Sequence, residues 1–357
     1  MNIQDFDKNF ATPETAEKDV CWYDANSYPF SLHGIYYDDQ EEKYKRMPSS
    51  VAKTVNNGVL YGSNYTVGGR IRFITDSPYV AVKCSMPAEN ILARMPIFGS
   101  HSFALYVDNQ FSNCFYMENK DIEKAKPNLL AFSRSLRFDE FNKKRTIDIC
   151  FPIYNGVNKL FIGIKEGCKL LPAKEYKHKK PIIFYGSSIT QGGCVSHAGN
   201  EYTALLSRWL DSDYINLGFS GSAKAEPTMV DYLAGLKASV FVLDYDHNAP
   251  TEEHLKATYP NLYKTIRAKS PNTPILMISS PNCEYMYHGV ERKQLIKDYY
   301  EEFKASGDNN VYFIEGRTLF GEEDRDVCTV DCVHPNDLGF YRMAKTIYPV
   351  LDKILNK

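Results

Sequence analysis

Two hydrophobic rhythms divide this chain. Between residues 70 and 165, short runs alternate apolar and polar positions. They are Arg70-Ile71-Arg72-Phe73-Ile74-Thr75, Tyr79 to Cys84, Phe103 to Val107, Cys114 to Met117, Thr146 to Phe151 and Leu160 to Ile164. A period of two, punctuated by Asp108-Asn109 and Asn155-Gly156, predicts half-buried antiparallel strands. Several such strands without a long helical pattern predict a β-sandwich. Residues 1 to about 20 are polar and read as a loose lead-in.

From Pro181 the rhythm changes. Apolar runs at Ile182 to Tyr185, Tyr214 to Leu217, Val240 to Leu243, Ile275 to Ile278 and Val311 to Ile314 are separated by helical patterns. Tyr202, Leu205, Leu206, Trp209 and Leu210 share one helical face, and Phe340, Met343, Ala344, Ile347, Leu351 and Ile354 share another. Strand–helix alternation predicts an α/β domain, a mostly parallel sheet covered on both faces. The expected division is a β domain over 1–178 and an α/β domain over 179–357. The basic stretch from Glu166 to Lys180 is read as a solvated connector.

Composition changes this picture little. The chain has 357 residues, 43% hydrophobic and 24% charged, with 42 Lys+Arg against 44 Asp+Glu. That balance gives no reason to expect nucleic acid or an anionic membrane as partner. No stretch approaches the ~20 apolar residues of a membrane span. The first twenty residues are acidic and lack an apolar core, so no signal peptide is expected. The nine cysteines are then expected as reduced thiols of a cytoplasmic protein. A homo-oligomer is left open. Many of the 26 tyrosines fall in the first half; Tyr suits a half-buried strand face, and an exposed ring can stack on a sugar.

The chemistry gathers around Gly186-Ser187-Ser188-Ile189-Thr190-Gln191-Gly192-Gly193, which follows the first apolar run of the second half. In open α/β sheets the ligand crevice lies outside the carboxyl ends of the strands. A serine there needs a histidine to take its proton and a carboxylate to orient that histidine. Asp331-Cys332-Val333-His334 supplies both from one turn. An oxyanion also needs donors. Gly221 in Asn216-Leu217-Gly218-Phe219-Ser220-Gly221 and Asn248 in Asp246-His247-Asn248 both follow predicted strands. Other motifs fail. Thr190 stands where an α/β-hydrolase elbow has glycine, and the glycine-rich stretch lacks the Gly-Lys-[Ser/Thr] of a phosphate loop. Cys328, Cys332 and His334 have no second Cys/His pair at finger spacing, so no metal is expected.

These four blocks resemble the SGNH (GDSL) hydrolase superfamily over 181–357. Its Ser, Gly, Asn and His match Ser188, Gly221, Asn248 and His334, with Asp331 three residues before the histidine and Pro335 after it. The resemblance implies a three-layer, flavodoxin-like catalytic domain and a serine esterase without cofactor. Ser188 is the expected nucleophile, His334 the base and then acid, and Asp331 the orienting carboxylate. The Ser188 and Gly221 N–H groups and Asn248 would form the oxyanion hole. The first half resembles the jelly-roll-like β domain preceding this module in two-domain carbohydrate O-acetyl esterases. The implied reaction is removal of a small acyl group, acetyl above all, from an oligosaccharide or small-molecule ester.

Gln191, His197, Asn200, His247 and Tyr285 are candidate substrate contacts, and His288 is read with them. The alternatives are a lipase or thioesterase for longer chains, an acyltransferase, and a glycan-binding module with an inactive catalytic half. The block Gly-Asp-Ser-Leu is altered here to Gly186-Ser187-Ser188-Ile189. Gly-x-Asn-Asp is altered to Asp246-His247-Asn248-Ala249, which adds polarity beside Asn248.

Overall fold

A computed structural model describes residues 15–88, 92–118, 121, 129–140, 142–282 and 289–357. The chain forms two compact units. One comprises Met1–Arg46, Asn64–Glu175 and Ser196–Ala198; the other comprises Met47–Ser63, Tyr176–Val195 and Gly199–Lys357.

Among the described residues, the first unit contains two larger antiparallel sheets around one core and a small two-stranded one, Tyr36–Asp38 with Lys43–Lys45. In one sheet the strands run Val20–Asp24, Lys159–Lys165, Tyr79–Met86, Leu130–Arg137. In the other they run Leu170–Pro172, Arg70–Thr75, Arg145–Cys150, Phe103–Val107, Gln110–Phe115, with Ser31–His33 added beside Arg70–Thr75. Ile71, Phe73, Ile147 and Leu105 from the second sheet share their core with Val80, Val82, Phe132 and Ile162 from the first. The alternating rhythm thus puts one face of each sheet inside. Arg72 and Asp148 face each other across neighbouring strands, with Nε 2.5 Å from Oδ1.

Asp108-Asn109 makes the expected hairpin, with both residues at positive φ between Phe103–Val107 and Gln110–Phe115. Asn155-Gly156 does not. The strands flanking it lie in different sheets, and the buried Asn155 amide donates to the Pro87 carbonyl. The segment read as a connector, 166–180, holds the strand Leu170–Pro172 and the beginning of His178–Gly186.

The second unit has five strands, all paired in parallel: Ser212–Gly218, His178–Gly186, Val240–Asp244, Ile275–Ile278, Val311–Ile314. In chain sequence the order is 2-1-3-4-5, one of the common doubly wound arrangements, with a crevice where the winding reverses. Helices Tyr202–Leu210, Pro227–Gly235, Glu252–Lys269, Gly289–Ala305 and Asp337–Leu355 connect and follow the strands. The apolar face of the last helix is buried as its periodicity requires; in the first, Tyr202, Leu205, Leu206 and Leu210 are buried while Trp209 is left exposed.

The compact units differ from a division at 178/179 in the segments 47–63 and 176–178, which go to the second unit, and 196–198, which goes to the first. Helices Ser49–Val55 and Asn57–Gly62 belong to the α/β unit. Met47, Ala52 and Val59 join its core beside Phe219, Ala223 and Met229. Asn56 fixes them: its Oδ1 caps the second helix at Val59 N, 2.8 Å. Its amide donates to Ser222 O at 3.0 Å and Glu226 Oε1 at 2.6 Å. Asn56→Ala removes a helix cap and two long-range bonds, and should lower unfolding free energy by about 1–3 kcal/mol. Urea titration measures it; a loss under ~0.5 kcal/mol would show that these helices do not depend on the tie.

Candidate active site

Three strands of the parallel sheet end on one rung. Gly186 stands opposite Gly218 on one side and Asp244 on the other. The segments leaving that rung carry the candidate groups. Beyond Gly186 the chain turns immediately into the short helix Ser188–Gln191. Ser187 caps it through its own side chain, accepting from Ile189 N at 3.1 Å. Gly192, at φ +91°, ends it. A Cβ on Gly186 would lie 2.1 Å from Thr190 Oγ1 and 2.2 Å from the Asp244 carbonyl oxygen. Only glycine lets the strand turn this tightly.

Ser188 sits at the first position of this helix, 8% exposed. Its Oγ is 2.9 Å from His334 Nε2. The His334 Nδ1 is 2.8 Å from Asp331 Oδ2 and 3.1 Å from Oδ1. Asp331 Oδ1 also accepts from the backbone N–H groups of His334, 2.8 Å, and Val333, 3.2 Å. Burial works to raise the Asp331 carboxyl, but the bonds from the His334 N–H and ring outweigh it and hold it below its ordinary value. A lowered carboxyl stabilises the fold above its unfolded pKa, and that contribution is lost as pH falls through the folded value.

The loop bearing this pair is pinned on both sides. Val330 N donates to the His334 carbonyl, and Asn336 N to that of Cys328. The Asn336 side chain caps the last helix at Gly339 N. Three residues in a tight turn place the His334 ring and the Asp331 carboxylate on one side.

The other two blocks meet at one atom. The Phe219 carbonyl accepts from Ser222 N, 2.9 Å, Ala223 N, 3.2 Å, and the Asn248 amide, 2.9 Å. Gly221 lies in that turn at φ +66°, with open space where a Cβ would be. Asn248 ends a 3₁₀ turn, Asp246–Asn248, and one N–H of its amide remains beyond the Phe219 bond.

The candidate substrate contacts divide. Gln191 is buried, and its Oε1 accepts from Ser220 N at 2.9 Å; it braces the Gly221 turn. Asn200 donates to Asp337 Oδ1 at 2.9 Å. His197 belongs to the β unit, where its ring stacks on Phe111 at 3.9 Å between centroids. His247 is half-buried in the same turn as Asn248, with a buried Nε2 that has no hydrogen-bond partner. Burial depresses its pKa, opposed by Asp246 and reinforced by the nearby charges of His334 and Arg292. Tyr285 and His288 lie outside the described residues.

Sequence reasoning missed the residues beneath the site. The Asp246 carboxylate accepts from His247 N and Ser280 N, both 2.9 Å. Arg292 donates to the Asp246 and Pro250 carbonyls, each at 3.3 Å. Asn216 donates to the Thr190 carbonyl at 2.7 Å. The available signal was polarity at the ends of apolar strands, Asn216 in one and Asp244 in another.

The model for the GDSL-like Lipase/Acylhydrolase family matches residues 179–352, and that for the N-terminus of Esterase_SGNH_hydro-type matches residues 20–170. The chain belongs to the SGNH (GDSL) hydrolases, as a two-domain member. It is thus an ester hydrolase. A comparison with curated proteins gives no match.

Among solved structures it is similar to a protein of Bacteroides ovatus ATCC 8483 described as a GDSL-like lipase. That likeness has 26% identity and a TM-score of 0.82, over 94% of this chain and 98% of that one. It is also similar in fold to the salicylyl-acyltransferase SsfX3 of a tetracycline biosynthetic pathway, with 18% identity and a TM-score of 0.75, over 95% and 98%. A third is a family two carbohydrate esterase from Clostridium thermocellum in complex with cellohexaose, with 16% identity and a TM-score of 0.60, over 92% and 99%.

The Gln191 brace carries a prediction for this hydrolase. Gln191→Leu frees the Ser220 N–H and loosens the Gly221 turn, so kcat should fall about tenfold with KM nearly unchanged. Steady-state kinetics on a chromogenic ester separates the two parameters. A raised KM at unchanged kcat would instead put Gln191 against the substrate.

Proposed function

We propose that this SGNH hydrolase removes short acyl groups, acetyl above all, from hydroxyls of a carbohydrate through a serine-linked acyl-enzyme. The observation carrying the reading is the continuous chain from Ser188 Oγ through the His334 ring to Asp331, at 2.9 and 2.8 Å. His334 Nε2 takes the Ser188 proton as Oγ attacks the ester carbonyl. The tetrahedral oxyanion is met by the Ser188 and Gly221 N–H groups and the second N–H of Asn248. His334 then gives its proton to the departing sugar hydroxyl. Water repeats the cycle on the acyl-enzyme, releasing the carboxylic acid and Ser188. Asp331 holds Nδ1 protonated throughout, so Nε2 is the basic nitrogen.

Two features support a short acyl group on a polar alcohol. His247 brings a half-buried, polar imidazole to the Asn248 turn, close enough to His334 for their charges to interact. A methylene chain laid against it gains little of the ~0.8 kcal/mol per CH₂ that a dry channel provides. The fold is also shared with a carbohydrate esterase whose structure holds cellohexaose.

Ser188→Ala and His334→Ala should each lower turnover by several orders of magnitude in folded protein, and Asp331→Ala by less. Asn248→Ala should cost roughly 10²–10³ in kcat with substrate binding little changed. Wild-type turnover in folded Ser188→Ala would falsify the mechanism.

Acyl length is a separate test. Across acetate, butyrate and octanoate esters of one leaving group, kcat/KM should fall steadily, and His247→Leu should flatten that decline. An octanoate ester cleaved faster than acetate by the wild type would make the protein a long-chain lipase or thioesterase.

A further inference from the structure

The proposed mechanism leaves one buried carboxyl beneath the Ser188 turn without a task. Asp244 ends its strand on the rung shared with Gly186, 1% exposed. Its carbonyl oxygen accepts from Ser187 N at 3.1 Å. Its side-chain Oδ2 accepts from Thr190 Oγ1 at 3.0 Å and from Tyr202 Oη at 3.4 Å. The Thr190 and Tyr202 hydroxyls are 3.1 Å apart, which closes a triangle of three polar groups. The other oxygen, Oδ1, is buried without a hydrogen-bond partner.

This is a poor setting for a charge. A buried carboxylate needs a cation or several donors, and removing one from water costs several kcal/mol. Here two hydroxyls share one oxygen and no described residue serves the second. The groups facing Asp244 are Thr190 from the serine turn and Tyr202 from helix Tyr202–Leu210. Asp246 from the following turn and Tyr259 from helix Glu252–Lys269 lie within electrostatic reach. None is a cation. Burial, followed by the charge of Asp246, pushes the carboxyl well above its ordinary value, and the bonds from Thr190 and Tyr202 only partly oppose it.

The geometry has a mechanical side as well. Thr190 is the third residue of the helix that Ser188 begins. Its side chain is held by Asp244 and Tyr202, and its carbonyl by Asn216. Gly186 packs so closely against Thr190 Oγ1 and the Asp244 carbonyl that no side chain fits between them. We propose that Asp244 is a positioning residue which, as an un-ionised acid, clamps Thr190 and thereby fixes the Ser188 hydroxyl in line with His334. The inference rests on Ser188 being the nucleophile.

The sign of its pH dependence follows. A carboxyl raised in the folded state stabilises most below its unfolded value, ordinarily 3.8. That contribution declines as pH rises toward the folded value. Asp244→Asn keeps the shape and neutrality, so it should escape the decline: its melting temperature should gain on the wild type as pH rises.

The deciding measurement is infrared difference spectroscopy of wild type against Asp244→Asn at neutral pH. A carbonyl stretch of a protonated carboxylic acid should be present in the wild type and absent from the variant. No such band would overturn the un-ionised state whatever the activity.

Kinetics tests the clamp. Thr190→Val should lower kcat about 10–100-fold with KM within about twofold. Asp244→Val should behave likewise, while Asp244→Asn should retain most of the turnover. Full kcat in folded Thr190→Val, or an Asn variant as impaired as the Val variant, overturns the positioning role. The infrared band does not depend on Ser188, so active Ser188→Ala protein with the band intact would overturn the nucleophile reading and the positioning role with it, and leave the un-ionised state standing.

Discussion

The rung where Gly218, Gly186 and Asp244 lie side by side is the constraint on which the second unit depends. Parallel strands in register end together, so the segments that leave them start from one line. Ser188 comes two residues beyond its rung position, Gly221 three and Asn248 four. For these three no long loop has to find its place, whereas Asp331 and His334 come from the segment between Val311–Ile314 and Asp337–Leu355. Two of the three rung residues are glycines because the turns fold back at once. A Cβ on Gly218 would lie 2.3 Å from Gln191 N. The strand register and the close packing are therefore one requirement, met at the backbone before any side chain acts.

Around that rung the polar groups fall into two tiers. The upper tier comprises Ser188, His334, Asp331 and Asn248, the groups proposed above to act on the ester. The lower tier, Thr190, Gln191, Tyr202, Asn216, Asp244 and Asp246, is buried and engaged with its neighbours. Four of these residues hold a segment above them: Gln191 the Gly221 turn, Asn216 and Asp244 the Ser188 helix, Asp246 the turn that carries Asn248. Buried polar groups bonded in this way fix one geometry, whereas apolar side chains in their place would tolerate several. Arrangement of this kind is what serine chemistry needs, because misplacing the nucleophile by about 1 Å costs turnover on the order of 10²-fold.

The β unit depends on a different principle. Its two sheets bury Ile, Val, Leu and Phe from alternate positions of each strand. The polar positions left over include Arg72 and Asp148, paired across neighbouring strands as opposite charges. Its aromatic residues mostly pack inward, as Tyr44 does against Phe151 at 5.0 Å. Phe111 remains 46% exposed beneath the His197 ring.

What the amino-acid order determined alone was local or periodic. Alternation over 70–75 and 146–151 specified strands because successive side chains face opposite sides. Apolar spacing over 202–210 specified a helix that begins and ends where expected. Asp331 and His334 were legible as a pair because three residues in a turn place them together. The order and spacing of four blocks marked the superfamily.

Other features depended on partners distant in sequence. Asn155-Gly156 has the composition of a hairpin, yet whether it turns or crosses between sheets depends on which strands pair, and no local residue encodes that. Helices 49–55 and 57–62 join the α/β unit because Asn56 reaches Ser222 and Glu226, more than 160 positions away. Gln191 and Asn200 carry side chains equally able to bind a sugar or a backbone; tertiary packing gave them Ser220 and Asp337. Asp244 looked like the polar end of an apolar strand. Enclosure by Thr190, Tyr202 and the neighbouring strand decided its environment, since burial and charge balance belong to the folded molecule and not to the residue.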